Sequence, residues 1–361
     1  MKYFLSFLFV LLLSSCKEKQ PEPISVSDRE LALQGIGNSA IMRSFLDLQN
    51  SVNALNEFAI SYQHDSTNTQ KLLRLRREWL NAAVAWKMSA IFLQGKLGAD
   101  TASSDLYARA NAAAIDAIIL SNVPRFDKTY MQSLPETSTG LAAIEYLIYG
   151  TNNGNAEPVI SAFSAVGSRR GAFLHALCLD LKRQSDQLLY QWSISGGGYL
   201  NQFTASSGAG RNSSIGVLTD NMITTISKIK EDKLGTPLGI NQAAARPDLV
   251  ESKYSGESAT LIRAELQSVQ QIFSGKRTLG VGSPALYWLL DEAGARSGDT
   301  ALSAAIEAQF ADISQRLDLI TIPLEQEILN NPKQLGQVYE SLEKLQKLIE
   351  NEVVAGLYFQ D

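Results

Sequence analysis

The chain has 361 residues, of which 45% are hydrophobic and 19% are charged. This length allows two or three domains, and the hydrophobic share is too high for a disordered protein. With 32 basic and 37 acidic residues the formal net charge is −5, which argues against nucleic acid as a partner. Only two histidines occur, His64 and His175, which argues against a histidine-rich zinc site, a bis-histidine haem or a Ser-His-Asp triad.

Residues 1–15 have the pattern of a lipoprotein signal peptide. Lys2 gives a positive start, and the apolar run from Tyr3 to Leu13 is too short to cross a bilayer, which takes about 20 helical residues. The sequence Leu13-Ser14-Ser15-Cys16 then resembles a bacterial lipobox. This predicts that Cys16 carries a lipid and is the first mature residue. An ordinary secretory signal, with Cys16 incidental, is the alternative.

The segment that follows is predicted to be a flexible tether. Residues 16–27 are mostly polar, contain Pro21 and Pro23, and show no hydrophobic periodicity. A lipid on Cys16 would bind the membrane, so we expect the protein in the bacterial cell envelope, facing the periplasm or the cell surface. Cys178 would then be the one remaining thiol, which excludes an internal disulfide and favours a buried core position.

The rest of the chain is predicted to be all-α. Apolar residues recur at spacings of three, four and seven, which is the pattern of amphipathic helices. The alternating Val, Ile and Thr runs that predict strands are almost absent, so helical bundles are the expected architecture. The stripes are Leu72, Leu75, Trp79, Ala82, Trp86 and Leu93; Ile262, Leu266, Val269 and Phe273; Ile306, Phe310, Ile313, Leu317 and Ile320; and Val338, Leu342, Leu345, Ile349 and Val353.

A Gly/Ser-rich stretch divides these predicted helices. Residues 195–210 are the least helical part of the body in sequence, and we predict a linker there. An N-terminal helical bundle is expected over 28–194 and a C-terminal one over 211–361. Each half offers about four helices, which is enough for a four-helix bundle.

The most informative segment is 134–150. A stretch with Pro and Thr precedes a short apolar helix, predicted from Leu141 to Tyr149 and ended by a glycine. Glu145 lies in the middle of this helix. A carboxylate there points to solvent, or is paired, protonated or bound to a cation. An ion pair with Arg169 or Arg170 and a ligand-binding carboxylate are the two interpretations that remain open.

The segment 140–150 resembles the signature of the imelysin family, which is Gly-x-His-x-x-Glu followed by an aromatic residue and leucines. Other segments resemble the family in the same order and span nearly the whole mature chain. The resemblance implies an all-α fold with two helical-bundle domains facing each other across a cleft that includes the signature. These segments are Arg77-Glu78-Trp79-Leu80 with Trp86, Arg170 with Asp180-Leu181, Lys233 to Gly239, Tyr254-Ser255-Gly256, Leu261-Ile262-Arg263-Ala264 and Glu352-Val353-Val354.

The sequence departs from the signature at one position, because Ala142 stands where the family has His. Positions i and i+3 share a helix face, so a His there and Glu145 would hold one metal ion together. With alanine, a cation would depend on Glu145 and other oxygens, which suits iron(III), calcium or magnesium better than zinc. The resemblance gives no catalytic residue and five candidate metal- or ligand-binding residues: Trp79, Gly140, Glu145, Arg170 and Asp180.

Three functions are compatible with these features. The first is a non-enzymatic, imelysin-like envelope lipoprotein in iron or other metal acquisition, binding iron, an iron complex or a partner protein. The second is a metallopeptidase, since the family is classified among them, although no His-Glu-x-x-His or Gly-x-Ser-x-Gly motif is present. The third is an envelope binding or scaffold module for peptide, glycan or protein, with a degenerate metal site. The sequence favours the first and least supports the second.

Overall fold

The computed structural model describes residues 24–94, 106–152, 154–240, 242, 244–275 and 283–357. The predicted signal peptide, Cys16 and most of the predicted tether lie outside the described residues. The helix α1 begins at Val26 with Ser25 as its N-cap, two residues inside the segment predicted as tether. No helix within the described ranges combines the length and the hydropathy that crossing a membrane requires.

Helices form nearly all of the regular structure, which confirms the predicted all-α class. In the described part of the chain the only strands are β1 (Arg296–Ser297) and β2 (Thr300–Ala301), a short antiparallel pair. The helices of the first half are α1 (Val26–Ile36), α2 (Met42–His64), α3 (Thr69–Ser89), α4 (Ala112–Leu120), α5 (Lys128–Ser133), α6 (Gly140–Tyr149), α7 (Ala156–Ser164) and α8 (Arg170–Trp192). The later helices are α9 (Tyr199–Ala205), α10 (Ser214–Lys228), α11 (Thr236–Leu238), α12 (Ser258–Ser274), α13 (Leu286–Glu292), α14 (Leu302–Asp318), α15 (Leu324–Asn330), α16 (Pro332–Lys347) and α17 (Val354–Gly356).

Short segments of other helix types join several of these elements. Among the described residues three of these segments are π-helical, the wider helix type that is rare outside functional or strained sites. Three more described segments are 3₁₀ helices. The π-helical segments are Gly37–Ile41, Ile229–Gly235 and Leu348–Val353, and the 3₁₀ helices are Ala90–Leu93, Glu136–Ser138 and Pro247–Leu249.

The first half of the chain packs around α2. Its neighbours α3 and α8 run along it, and α6 packs against both α3 and α8. The residues Phe45, Leu48, Val52, Leu55 and Ala59 recur at helical spacing along α2 and are fully buried, and so are the predicted α3 residues Leu72, Leu75, Trp79 and Ala82. Trp86 is 4% exposed, and Leu93 lies after α3 and is partly buried. The second half packs α12 against α10 and α14, and α16 against α14 and α10. The other three predicted stripes lie in α12, α14 and α16 and the segments that follow them, and their residues are buried.

The two halves share one continuous hydrophobic core. Helix α3 packs along α12, and α1 packs on α9, α10 and α13. Arg29 of α1 is buried and donates a hydrogen bond of 2.6 Å to the carbonyl oxygen of Leu357. The first helix of the N-terminal sequence half therefore belongs, by its contacts, to the second half.

The segment predicted as a Gly/Ser-rich linker, 195–210, contains helix α9. Leu200 and Phe203 of this helix are buried, and the ring centroid of Phe203 lies 5.9 Å from that of Trp192. The segment is therefore packed chain, because its two apolar residues fill the core between α8 and α1 rather than lying in solvent. The division into two domains across a cleft stays a prediction.

Candidate functional site

The signature helix α6 forms where the sequence predicts it. Gly140 has φ +72°, and the next amide, on Leu141, donates a hydrogen bond of 2.7 Å to the carbonyl oxygen of Leu106. Gly150, with φ +69°, ends the helix. A positive φ at each end is favourable for glycine, which lacks the Cβ that makes it strained. The two glycines thus fix the ends of a helix that is almost entirely buried.

We expect Gly140→Ala to lower the free energy of unfolding by about 2–4 kcal/mol, because it adds strain at a positive φ and a clash. A Cβ at this position would lie 2.5 Å from the backbone oxygen of Leu106. Gly167→Ala is the matched control, since Gly167 has φ +75° and nothing within 4 Å of the added Cβ. Urea unfolding of both variants measures the difference. Equal losses in the two variants would contradict the predicted clash.

Glu145 lies on α6 with only 1% of its surface exposed, and its carboxylate faces residues 252–255 of the second half of the chain and Tyr107 of the first half. Its Oε1 lies 2.9 Å from the hydroxyls of Ser252 and Ser255, 2.9 Å from the Ser255 amide and 3.1 Å from the Tyr254 amide. Its Oε2 accepts from the Tyr107 hydroxyl at 2.9 Å. Five donors therefore converge on one carboxylate, which ties α6 to residues 252–255.

The ion pair expected between Glu145 and an arginine is wrong. Arg169 instead donates to the carbonyl oxygens of Ser121 and Val123. Arg170 lies 3.1 Å from the carboxylate of Asp116. Loop hydroxyls and amides, rather than a cation, satisfy the buried carboxylate.

Burial raises the pKa of Glu145 above its ordinary value, and the Ser255 amide and the three hydroxyls partly oppose that shift. The Tyr107 hydroxyl also lies 2.9 Å from the Oγ of Ser252. A protonated Glu145 can therefore donate to Tyr107 while Tyr107 donates to Ser252. The cluster holds either charge state of Glu145 without leaving a hydroxyl unpaired.

A raised pKa gives the stability a defined pH dependence. The folded state holds the Glu145 proton more tightly than the unfolded chain does, so this stabilisation is complete below the ordinary pKa of 4.5. It is lost as the pH rises from there through the raised pKa. We expect the free energy of unfolding of the wild type, minus that of Glu145→Gln, to fall over this range. Urea unfolding at a series of pH values measures it, and a rising or flat difference would contradict the raised pKa.

The residues around Glu145 do not fit a bare metal ion. Oxygens with free lone pairs would have to face such an ion. Here the Tyr254 and Ser255 amide hydrogens and the hydroxyls point at the carboxylate instead. Ala142 is buried and offers no ligand atom, and the described residues contain no group of three or more His, Cys, Asp or Glu placed to hold a metal. The described residues around Glu145 therefore offer no ligand set for a bare metal ion.

A buried charge cluster lies on the other side of Tyr107. Lys87 Nζ is 4.4 Å from the centre of the Tyr107 ring, 2.6 Å from Glu251 Oε1 and 3.2 Å from Glu265 Oε1. Lys233 pairs with both glutamates, at 3.0 Å for Glu251. Burial alone would raise the pKa of Glu251, but Lys233 and Lys87 outweigh it and hold the pKa well below its usual range. The four charges compensate one another beside a cavity of about 420 Å³.

The other predicted site residues fall in three places. Trp79 is fully buried, and its indole donates a hydrogen bond of 2.8 Å to the Leu141 carbonyl at the start of α6. Arg170 reaches α6 indirectly, since Asp116 also accepts from the Tyr146 hydroxyl at 2.6 Å. Trp79, Gly140 and Glu145 thus meet around α6, with Arg170 at its edge. Asp180 is bound within α8 by the neighbouring Arg183 and Gln184.

Two of the four residues that bind Glu145, Tyr107 and Ser252, were not identified from the sequence. Tyr254 and Ser255 belong to the segment that resembles the family, and Ser252 and Glu251 come just before it. Lys87 directly follows Trp86 of the predicted stripe, and a lysine there is ordinarily taken for a solvated flank. The one available signal was the serine-rich run before α12, which supplies hydroxyls but has no fixed spacing to α6.

The fold and site define an all-helical protein whose signature helix is fastened to the second half of the chain through one buried carboxylate. The family model described as Imelysin (peptidase M75) matches residues 41–351, and the chain belongs to the imelysin family. No curated protein gave a significant match.

Two crystal structures are similar in fold to the chain. The first is an imelysin-like protein from Psychrobacter arcticum 273-4, with a TM-score of 0.72 and 15% identity, covering 95% of this chain and 99% of that one. The second, from Parabacteroides distasonis ATCC 8503, is described as a "putative iron-regulated protein A precursor". Its TM-score is 0.70 at 14% identity, covering 94% of this chain and 97% of that one. At these identities the likeness establishes the fold alone.

Proposed function

We propose that this protein is a non-enzymatic binding component of the bacterial cell envelope that acts in iron acquisition. It binds an iron complex or a partner protein rather than a bare metal ion at Glu145. The observation that carries this proposal is the convergence of five protein donors on the Glu145 carboxylate.

Both carboxylate oxygens of the signature residue Glu145 are already hydrogen-bonded to groups within the protein. A catalytic zinc site needs three protein ligands and an open position for water or substrate. Glu145 is almost completely buried, and Ala142 removes the nitrogen ligand one turn before it. Oε1 of Glu145 accepts from two amides and two serine hydroxyls, and Oε2 accepts from the Tyr107 hydroxyl, so the carboxylate acts as a clamp. These contacts support a role for the signature helix in fixing the fold rather than in hydrolysis.

Family membership and the leader sequence support the remaining parts of the proposal. The Parabacteroides distasonis protein of the same fold is described as iron-regulated and as a precursor. The lipobox-like Leu13-Ser14-Ser15-Cys16 supports a lipid anchor on Cys16. A lipid-anchored binding protein holds its ligand close to the membrane across which iron has to be moved.

The test is equilibrium dialysis of the full-length lipoprotein in detergent against radioactive iron, supplied either as ferric citrate or as ferrous iron with ascorbate. We expect wild type and Glu145→Gln to retain the citrate complex equally, at about one per chain. Casein incubated with the protein is expected to stay intact with and without EDTA. A strain lacking the gene is expected to grow more slowly than its parent under iron limitation.

Each part of the proposal has an outcome that overturns it. Iron retained by the wild type but lost in Glu145→Gln would place the metal at Glu145. Casein cleavage abolished by EDTA would make the protein a peptidase. If the protein retains no iron and the strain lacking the gene grows normally under iron limitation, the protein has no role in iron acquisition. If the protein retains no iron but that strain grows more slowly, the ligand is a partner protein.

A further inference from the structure

A second concave site lies away from the Glu145 cluster. A groove of about 520 Å³ runs between α2 and α3 on one side and α12 on the other. This volume falls within the roughly 300–1,000 Å³ of small-molecule pockets. None of Glu145, Tyr107, Lys87 or Glu251 lines it. The groove is therefore separate from both buried networks.

Uncharged polar side chains dominate the lining of this groove. Among the described residues of the lining, Arg43 and Asp47 are the only charged ones, and they pair with each other at 3.2 Å on neighbouring turns of α2. Amide and hydroxyl side chains face the space from all three helices, and Leu80, Val84 and Met88 supply an apolar strip along α3. The groove thus offers many groups that both donate and accept hydrogen bonds, beside a limited apolar surface.

Gln271 is the most informative of these side chains. It lines the groove with only 5% of its surface exposed, yet it makes no side-chain hydrogen bond to any residue the structure describes. Gln267, one turn earlier on α12, and Asn50 and Ser51 on α2 are likewise without a described partner. A buried amide without a partner is destabilising unless a ligand or water satisfies it. Gln271 is the buried one of the four residues, whereas Gln267 and Ser51 are partly exposed and Asn50 is exposed, and all four line the same space.

The side chains that line the groove favour one class of ligand over the others. A phosphate or carboxylate needs unpaired cations, and the one arginine is already paired. Peptides are recognised by strand edges, wide apolar helix grooves, aromatic-lined proline grooves or arginine clusters. The lining residues provide none of these. A neutral ligand rich in hydroxyls matches amides and hydroxyls that donate and accept at once, and its C–H face matches the strip on α3.

We propose that the groove between α2, α3 and α12 binds a neutral, hydroxyl-rich small molecule of about disaccharide size, with the Gln271 and Gln267 amides as its principal hydrogen-bonding groups. The site includes residues from both sequence halves. Such a ligand therefore stabilises the α3–α12 junction when it binds.

The test is a titration of the full-length protein with maltose, trehalose, sucrose and N,N′-diacetylchitobiose. Saturation-transfer NMR detects binding, and calorimetry then measures the affinity of the sugar that binds best. We expect at least one to bind, and Gln271→Leu to weaken its affinity about tenfold or more. Gln267→Leu is expected to weaken it by a smaller factor. Gln270→Leu is the matched control, because Gln270 lies next to Gln271 on α12 but does not line the groove.

Leucine and glutamine have similar volumes, so the variants are expected to fold, and thermal unfolding followed by circular dichroism checks this. No binding of any of the four sugars at 10 mM, roughly the weak limit of specific ligands, would overturn the proposal. Equal affinity in Gln271→Leu and wild type would do the same. Binding of the neutral capped tripeptide N-acetyl-trialanine amide in place of the sugars would assign the groove to peptides and overturn the proposed class.

Discussion

Replacing Glu145 with alanine is expected to lower the free energy of unfolding by about 3–5 kcal/mol. The substitution leaves the buried hydroxyls of Tyr107 and Ser252 and the amides of Tyr254 and Ser255 without their acceptor. Each unpaired buried donor is destabilising, and removing one member of a network affects all of them. Urea unfolding followed by circular dichroism measures the loss.

Two further variants serve as controls for the Glu145→Ala result. Glu145→Gln is expected to lower the free energy of unfolding by only about 1 kcal/mol, because the amide keeps an acceptor for the Ser255 amide and donates to Tyr107. Glu30→Ala is the control, since Glu30 is an exposed helical glutamate on α1, and a change within about 0.5 kcal/mol is expected there. If Glu145→Ala were no more destabilising than Glu30→Ala, the clamp would not exist in solution.

Lys87→Met is expected to lower the free energy of unfolding by about 3 kcal/mol, by breaking a buried ion network from one side. Lys87 is almost completely buried and holds Glu251 and Glu265, both from the second half of the chain. Without it, Lys233 alone would face two buried carboxylates, and the pKa of Glu251 would rise. The loss is therefore expected to shrink at low pH, where a carboxylate of the pair becomes protonated.

The matched control for Lys87 is the same substitution in a surface pair. Lys71 lies 3.2 Å from Asp65, and both side chains are more than a third exposed. Such pairs contribute about 0–1 kcal/mol, so Lys71→Met is expected to change stability little. A loss at Lys87 no larger than the loss at Lys71 would mean that hydrophobic packing of α3 on α12, and not the ion network, holds the two halves together.

The fold was largely predictable because helix formation is a local property. The spacing of Leu72, Leu75 and Trp79 defines a buried face by itself, and Gly150 marks the end of α6. The segment 195–210 illustrates the limit of such reasoning. Its glycines and serines predict a linker, but Leu200 and Phe203 find a core position that only the three-dimensional packing creates.

The site was predictable only in part. The signature pointed to Glu145, and burial of that residue follows from the apolar helix around it. Its partners Tyr107 and Ser252 lie 38 and 107 residues away in sequence, and no spacing rule connects them to α6. Charge reasoning favoured an arginine for Glu145, whereas the fold places hydroxyls and amides there. Short-range patterns identify which group is buried but not which distant loop satisfies it.

The hydrogen bond between Arg29 and Leu357 has a consequence for the order of folding. It joins residues 328 positions apart, and α1 also packs on α10 and α13 of the second half. Synthesis proceeds from the N-terminus, so the first helix is made long before the surface that receives it. The apolar face of α1 meets its native partners only when α9, α10 and α13 have been made, and the guanidinium of Arg29 meets its acceptor only when residue 357 has emerged. The first helix therefore depends on residues that are made in the later part of synthesis for its native contacts.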